Sequence, residues 1–357
     1  MAERRARIGV IGTGWWSTFA HLPSLSTYPD AEVIGVADVD LAKAQHAAKR
    51  FGVSEAFGDH RDLLALRPDG VVIATPHDTH YELGRDALLA GADVMIEKPM
   101  VVDPGHGREL LRIARECGRV IHLGYPYPFT RHCRLLHRLI HDGELGAILF
   151  ATGLFATSVL EFYRGMTAYA GEPEAGAMWA PGTDTYSDPA HGGGQMLTQV
   201  THAASLLFHL TGLRPSGVQA FIDTYGTRVD VWDAITFTTA TGACGTVAST
   251  GTVPRTQKVI EEYRVFGSNG HALLDTARGT LVIHRNDGSS IEETPLTADE
   301  RYPLYQTSRQ LVDTILGRGP ALVDGELGLL TVEFLAAALE SARERRVTSL
   351  SESGIAG

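Results

Sequence analysis

The side chains best suited to chemistry stand in short clusters, and most of them close an apolar run. Glu97-Lys98-Pro99 follows the run ending at Ile96, a position at the carboxyl edge of a parallel strand, where open α/β sheets bind ligands. Beside a cationic nicotinamide, the pKa of such a lysine falls towards neutrality. The neutral amine can then take the hydroxyl proton of a secondary alcohol as hydride leaves the carbon, and the ammonium can return it in the reverse direction. The plainer alternative, a surface lysine paired with Glu97, fits this position less well.

The segment Ile8 to Ser17 sets Gly12, Thr13, Gly14, Trp15 and Trp16 where a first strand would turn into a helix. Glycines there let backbone N–H groups approach a pyrophosphate, and Ser17 occupies the place of the usual third glycine. Asp38 closes the second apolar run, where a carboxylate accepts hydrogen bonds from the adenosine ribose and repels a 2′-phosphate. No Arg or Lys follows before Lys43, so NAD is expected over NADP, and Asp40 is left as a helix cap. Thr75-Pro76 with His77 and His80 ends the third run, which points both histidines at the cofactor crevice. A loop histidine is often idle, and for His77 that reading stays open. The last cluster runs from Gly192 to His202. Three glycines allow a tight bend before a helix, and Thr198, Gln199 and His202 would share a polar face opposite Leu206, Leu207 and Leu210. Such a face suits a polyol, although a histidine satisfied within a helix interface has the same signature.

These clusters need a scaffold that brings strand ends together. Five apolar runs, Arg7–Ile11, Glu32–Ala37, Val71–Ala74, Asp93–Ile96 and Val120–Leu123, alternate with amphipathic stretches, as consecutive βα units do. Asp40 starts a helix ending near Phe51, Asp103-Pro104 starts another that stops at Gly118, and a third fits Thr79–Ala90 before Gly91. Tyr125-Pro126-Tyr127-Pro128 then breaks the pattern. A Rossmann dinucleotide-binding domain is therefore expected over 1–124, and an α+β domain with a large, mainly antiparallel open sheet over 125–357. In the second part a strand is expected near Ile148, a helix over 195–210 and six alternating runs between 218 and 285. The stretch 152–194 has little periodicity and is too long for an idle connection, so it is expected to cover a binding site. Tyr163, Trp179, Asp184 and Tyr186 are its substrate candidates, aromatic rings packing against sugar C–H faces and carboxylates accepting from hydroxyls.

The 357 residues suffice for two cores, and 44% hydrophobic with 20% charged is an ordinary globular balance. No apolar run approaches the ~20 residues that span a bilayer, and a net charge of −11 argues against nucleic acid as a partner. Cys117, Cys133 and Cys244 form neither a disulfide framework nor a metal set, so a cytoplasmic protein without metal is expected. Arg4-Arg5 precedes only a short apolar segment and reads as the start of a strand, not as a leader. An open antiparallel sheet needs its outer face covered, so self-association as a dimer or tetramer is expected.

Taken together, Gly12-Thr13-Gly14, Thr75-Pro76 with His80, Glu97-Lys98-Pro99 and Gly192–His202 resemble the glucose–fructose oxidoreductase/inositol dehydrogenase/MocA family over essentially the whole chain. The resemblance implies Lys98 and His202 as catalytic residues, NAD as cofactor, and sugar or cyclitol substrates. The chain departs from it in carrying Thr198 where an acidic residue is common, and in lacking an arginine near Tyr127 and Pro128. It therefore points to a dehydrogenase or reductase acting on the CH–OH group of a sugar, glycoside or cyclitol. An NAD-dependent glycosidase working by transient oxidation and a non-catalytic NAD-bound sensor are the alternatives.

Overall fold

The apolar runs of the first half become a fully parallel sheet in the computed structural model, which describes residues 4–166, 178–182 and 184–350. Its strands are β1 (Ala6–Ile11), β2 (Ala31–Ala37), β3 (Ala56–Phe57), β4 (Gly70–Ile73), β5 (Asp93–Ile96) and β6 (Ile121–Leu123), in the order β3-β2-β1-β4-β5-β6. Every residue of β4 and β5 is buried, as expected when helices cover both faces. The two-residue β3 went unanticipated because it is only half-buried and carries no apolar run. Helix starts follow the caps: Asp40 accepts from the amides of Ala42 and Lys43 ahead of Leu41–Phe51, and Asp103 accepts from Gly105 N ahead of Pro104–Cys117. Gly52 and Gly118, both left-handed, stop these helices.

The chain divides into two compact units, and it passes between them more often than the single boundary after residue 124 allows. The first holds the described residues of Met1–Tyr125, Met166–Thr185 and Leu304–Leu329; the second holds those of Pro126–Gly165, Tyr186–Pro303 and Leu330–Gly357. Burial explains the late return. Helix Gln306–Ile315 places Leu311 and Val312 in one core with Val10, Val36, Val72 and Met95, which leaves that part of the sheet dry.

In the second unit nine strands form one open sheet: β7 (Ile148–Ala156), β8 (Pro215–Asp223), β9 (Trp232–Thr239), β10 (Cys244–Thr250), β11 (Ile260–Gly267), β12 (Gly270–Asp275), β13 (Thr280–Arg285), β14 (Ser290–Glu292) and β15 (Thr348–Ser349). Their order is β14-β13-β12-β11-β7-β10-β9-β8-β15, antiparallel except for the pair β7/β10. Strand β9 alternates strictly between exposed and buried, so one face carries Phe237 and the other Trp232. Phe208, Phe237 and Phe334 meet edge-on, centroids 5.0 to 5.8 Å apart, and weld two helices to the inner face. Two expectations need correction here. The region from Gln195 is not one regular helix: Met196–Val200 forms a π-helical turn before the α-helix Thr201–Thr211. That α-helix has no polar face, since every residue but the half-buried His209 is buried. Among the described residues no helix is long and apolar enough to cross a membrane.

Candidate active site

The glycine turn of the first unit divides its work between two glycines. Gly12 has φ +88°, and a Cβ there would lie 2.4 Å from Ala74 O, so only glycine fits between β1 and the end of β4. Around Gly14 a Cβ would meet nothing within 4 Å, which leaves that face of the turn open to a ligand. Thr13 turns inward: its amide and hydroxyl both donate to Asp38 Oδ2, at 2.8 and 2.9 Å. Among the described residues Asp38 Oδ1 accepts only the Asp40 amide, at 3.0 Å, which leaves a lone pair for a ribose hydroxyl. Beyond the turn, Ser17–His21 is π-helical and runs into the short helix Leu22–Ser26, with Ser17 fully buried. Trp15 and Trp16 pack edge to face, centroids 5.2 Å apart. The turn thus fits a dinucleotide: an obligatory glycine, an open amide face and a carboxylate at the end of β2.

Glu97 was expected to touch the cofactor, but its buried carboxylate is consumed inside the unit. Oε1 accepts from Trp16 Nε1 and pairs with His21 Nε2, both at 2.8 Å, while Oε2 accepts the Lys98 amide at 3.2 Å. Burial alone would raise its pKa; the hydrogen bond and charge of His21, the Lys98 charge and the Trp16 bond together bring it below the usual value. Gly124 makes room, since a Cβ there would lie 2.5 Å from Oε1. His80 is likewise a fastener. Fully buried, its Nδ1 lies 2.9 Å from Pro99 O and its Nε2 3.0 Å from Thr75 O, so it ties the two strand-end turns together. Burial lowers its pKa, and a neutral ring donates only one of those bonds. His77 packs edge-on against His80 at 5.8 Å and is buried, and the Thr75 hydroxyl meets that of Thr79 at 2.7 Å. Between these fasteners Lys98 is half-buried. Burial of its ammonium lowers the pKa, and the negative Glu97 partly restores it. That is the electrostatic setting of an amine able to give and take a proton.

In the second unit His202 lies on helix Thr201–Thr211 between aromatic rings. Tyr127 stands edge-on at 6.4 Å and Phe155 tilts at 5.6 Å. The π-turn before it is held from below. Tyr163 Oη lies 2.7 Å from both Gln195 Oε1 and Thr198 Oγ1, and Thr198 donates to Gly194 O at 2.6 Å. Thr198 is fully buried in this network, so it supports the turn and does not face a polyol as expected; Gln199, half-buried, is the better placed. Asp230 accepts the Met196 amide and lies against Asp233, whose own carboxylate is buried. Burial and then the Asp230 charge push Asp233 well above the carboxylate range.

The long segment is divided in its placement. Trp179 lies in the first unit against helix Leu41–Phe51, 6.2 Å from His46 and with Lys43 Nζ 5.8 Å from its ring. Asp184 is exposed, and Tyr186 stacks on Phe162 at 5.3 Å while its carbonyl receives Gly194 N. Residues 167–177 and 183, also expected to cover the site, lie outside the described residues.

Known proteins share this architecture. Residues 6–125 match the model of an oxidoreductase family with an NAD-binding Rossmann fold, and residues 133–273 match the GFO/IDH/MocA C-terminal domain. The chain belongs to the GFO/IDH/MocA family. Within that family it is 33% identical to the D-glucoside 3-dehydrogenase of Escherichia coli over 153 residues, 43% of this chain and 44% of that protein. It is 25% identical to the uncharacterized oxidoreductase YdgJ of the same organism over 96% of this chain and 98% of that protein. The chain's match thus spans less than half of the first relative and nearly all of the second. Among solved structures, GenD2 from gentamicin A biosynthesis, in complex with NAD, superposes with a TM-score of 0.78 at 24% identity over 98% of both chains. An aldose-aldose oxidoreductase from Caulobacter crescentus, complexed with glycerol, gives 0.79 at 21% over 97% of this chain and 100% of that one. Both likenesses are of fold.

Two buried acids of the second unit carried weak signals in the sequence. Asp233 and Glu261 share strand parity with Ile235 and Phe237, and with Tyr263 and Val265, so each is an acid where an inward apolar residue belongs. His21, which pairs with Glu97 from 76 residues away, carried none.

Proposed function

We propose that this protein is an NAD-dependent oxidoreductase acting on a secondary alcohol of a sugar, glycoside or cyclitol, with Lys98 and His202 in proton transfer. The observation that carries the reading is Lys98, half-buried at the end of β5 with a lowered pKa and held by Glu97 and the turn that His80 fastens. Bound NAD would supply the hydride acceptor or donor, its pyrophosphate on the open face at Gly14 and its adenosine ribose at Asp38. In oxidation the neutral Lys98 amine takes the carbinol O–H proton; in reduction the ammonium gives it back. His202 would supply an imidazole as the second proton-transfer group, and Tyr127 and Phe155 give apolar surface suited to the C–H faces of a sugar. Gln199 supplies an amide for vicinal hydroxyls. Asp38 favours NAD over NADP, because a carboxylate repels a 2′-phosphate. The names of the relatives, among them a D-glucoside 3-dehydrogenase and a scyllo-inositol 2-dehydrogenase, support a sugar or cyclitol alcohol as substrate. The reading places the enzyme in the cytoplasm as a homo-oligomer. Screening NAD reduction across free sugars, glycosides and cyclitols tests it: NADH should form with at least one member, and no NADH with any of them would refute it.

A further inference from the structure

Within the first unit, the buried Glu97 carboxylate joins two parts of the chain that the sequence sets far apart. Its Oε1 accepts the Trp16 indole N–H and lies against His21 Nε2, both at 2.8 Å, and its Oε2 accepts the Lys98 amide at 3.2 Å. Trp16 is the second residue beyond Gly14, where the chain leaves the nucleotide turn, and Lys98 follows the end of β5. The carboxylate has little room to turn, because a Cβ on Gly124 would lie 2.5 to 2.7 Å from Oε1, Cδ and Oε2. Burying a carboxylate is costly unless donors meet it, so an acid at this place depends on these three groups.

The backbone beyond the turn is wound to supply two of them. Residues five apart in an α-helix point about 140° away from each other, which would turn His21 from any group that Trp16 touches. Ser17–His21 is π-helical instead, and its wider i→i+5 turn brings Trp16 and His21 round to one oxygen. His21 has no solvent exposure, and its Nδ1 has no hydrogen-bond partner among the described residues, so the Glu97 carboxylate is the polar anchor of its ring. On the other side of Lys98, His80 Nδ1 lies 2.9 Å from Pro99 O. Lys98 is thus held through its own amide on one side and through the next residue's carbonyl on the other.

We infer that Trp16 and His21 are positioning residues for Lys98: through the Glu97 carboxylate they tie the backbone of the proton-transferring amine to the helix that leaves the nucleotide turn. The inference rests on the reading of Lys98 given above. The indole N–H of Trp16 is spent on Glu97 and not on a phosphate, and the turn that receives the dinucleotide also fixes where the amine stands. Removing either donor lets the Glu97 side chain shift, and the Lys98 amide loses its acceptor.

The test compares the unmodified protein with Trp16→Phe, which keeps a ring and removes only the N–H, with His21→Leu, and with His21→Gln, whose amide can donate near the place of Nε2. Without substrate or NAD, the Lys98 amide should exchange its hydrogen several-fold faster in Trp16→Phe and His21→Leu than in the unmodified protein. With the best polyol, kcat should fall roughly 10- to 100-fold in those two variants, since a displacement of about 1 Å costs a reacting group that much. KM for the polyol and Kd for NADH should stay within about twofold, and His21→Gln should regain most of kcat. Adding Trp16→Phe to Lys98→Ala should slow single-turnover NADH formation no further, because Trp16 acts through Lys98. Should His21→Leu fail to fold, Trp16→Phe carries the same test. Unchanged exchange at Lys98 in Trp16→Phe, an unchanged kcat, or a further loss in the Lys98→Ala background would overturn the inference alone. No turnover by the unmodified protein with any polyol would remove the functional reading and this inference together.

Discussion

Replacing each glycine of the nucleotide turn by alanine should separate folding from cofactor binding. At Gly12 the backbone is left-handed, which costs an L side chain ~1–2 kcal/mol, and the added Cβ would stand 2.4 Å from Ala74 O and 2.7 Å from Thr75 Cγ2. Backbone on one side cannot yield cheaply, so overpacking adds ~1–3 kcal/mol and the total loss is roughly 2–5 kcal/mol. At Gly14 φ lies outside the left-handed range and nothing stands within 4 Å. Gly14→Ala should therefore leave stability unchanged, or raise it by up to ~1 kcal/mol through the unfolded chain. Its methyl group instead occupies the face where the pyrophosphate would lie. Losing one charge-assisted hydrogen bond there costs ~1.5–3 kcal/mol, or about 10- to 150-fold in Kd. Urea unfolding and titration of NADH fluorescence read the two effects separately. A Gly14→Ala protein that binds NADH like the unmodified one, or a Gly12→Ala protein of unchanged stability, would refute the reasoning.

Asp38→Ala should weaken NAD binding and narrow the preference over NADP, read by the same titration; equal or tighter NADP binding by the unmodified protein would contradict the ribose assignment. Glu261 should also be visible in stability. Its pKa is raised from 4.5 to about 7 in the fold, so its stabilising contribution is complete below 4.5 and is lost as pH rises to 7, by ~3 kcal/mol. The stability difference between the unmodified protein and Glu261→Gln should fall by that amount from pH 4.5 to 7, and a constant difference would contradict the assignment. Phe221, Trp232 and Ile260 are exposed on the face of the large sheet opposite Phe155 and Glu261, so light scattering should find a dimer or tetramer at micromolar concentration. A monomer would contradict it.

What the sequence made legible was local. Asp40, Asp103, Gly118 and the apolar runs act through neighbours in the chain, and the strands and caps they announce are present within a residue or so. The alternating runs of the second unit were equally readable because one face of that sheet is buried. Long-range pairing was not. Helix Gln306–Ile315 joins a sheet formed two hundred residues earlier through Leu311 and Val312, and no local pattern says which core an amphipathic helix will choose. Thr198 and His80 had the right chemistry at the right places, yet burial against Tyr163 and Gly194, and against Thr75 and Pro99, turned them from ligands into fasteners. The π-helical turn at Met196–Val200 was hidden for a similar reason, since the Asp230 and Tyr163 contacts that accompany it come from elsewhere in the chain.

Lys98 bears most directly on the central claim. Reduced nicotinamide should be followed by its absorbance in a single turnover, with saturating NAD and the best polyol, for the unmodified protein and for Lys98→Ala. The unmodified enzyme should form NADH, and the variant should do so at least about a hundredfold more slowly while binding NAD within a few-fold, because a positioned proton acceptor is worth that much. Turnover by Lys98→Ala near that of the unmodified enzyme, or cleavage of a glycoside without net NADH, would contradict the account.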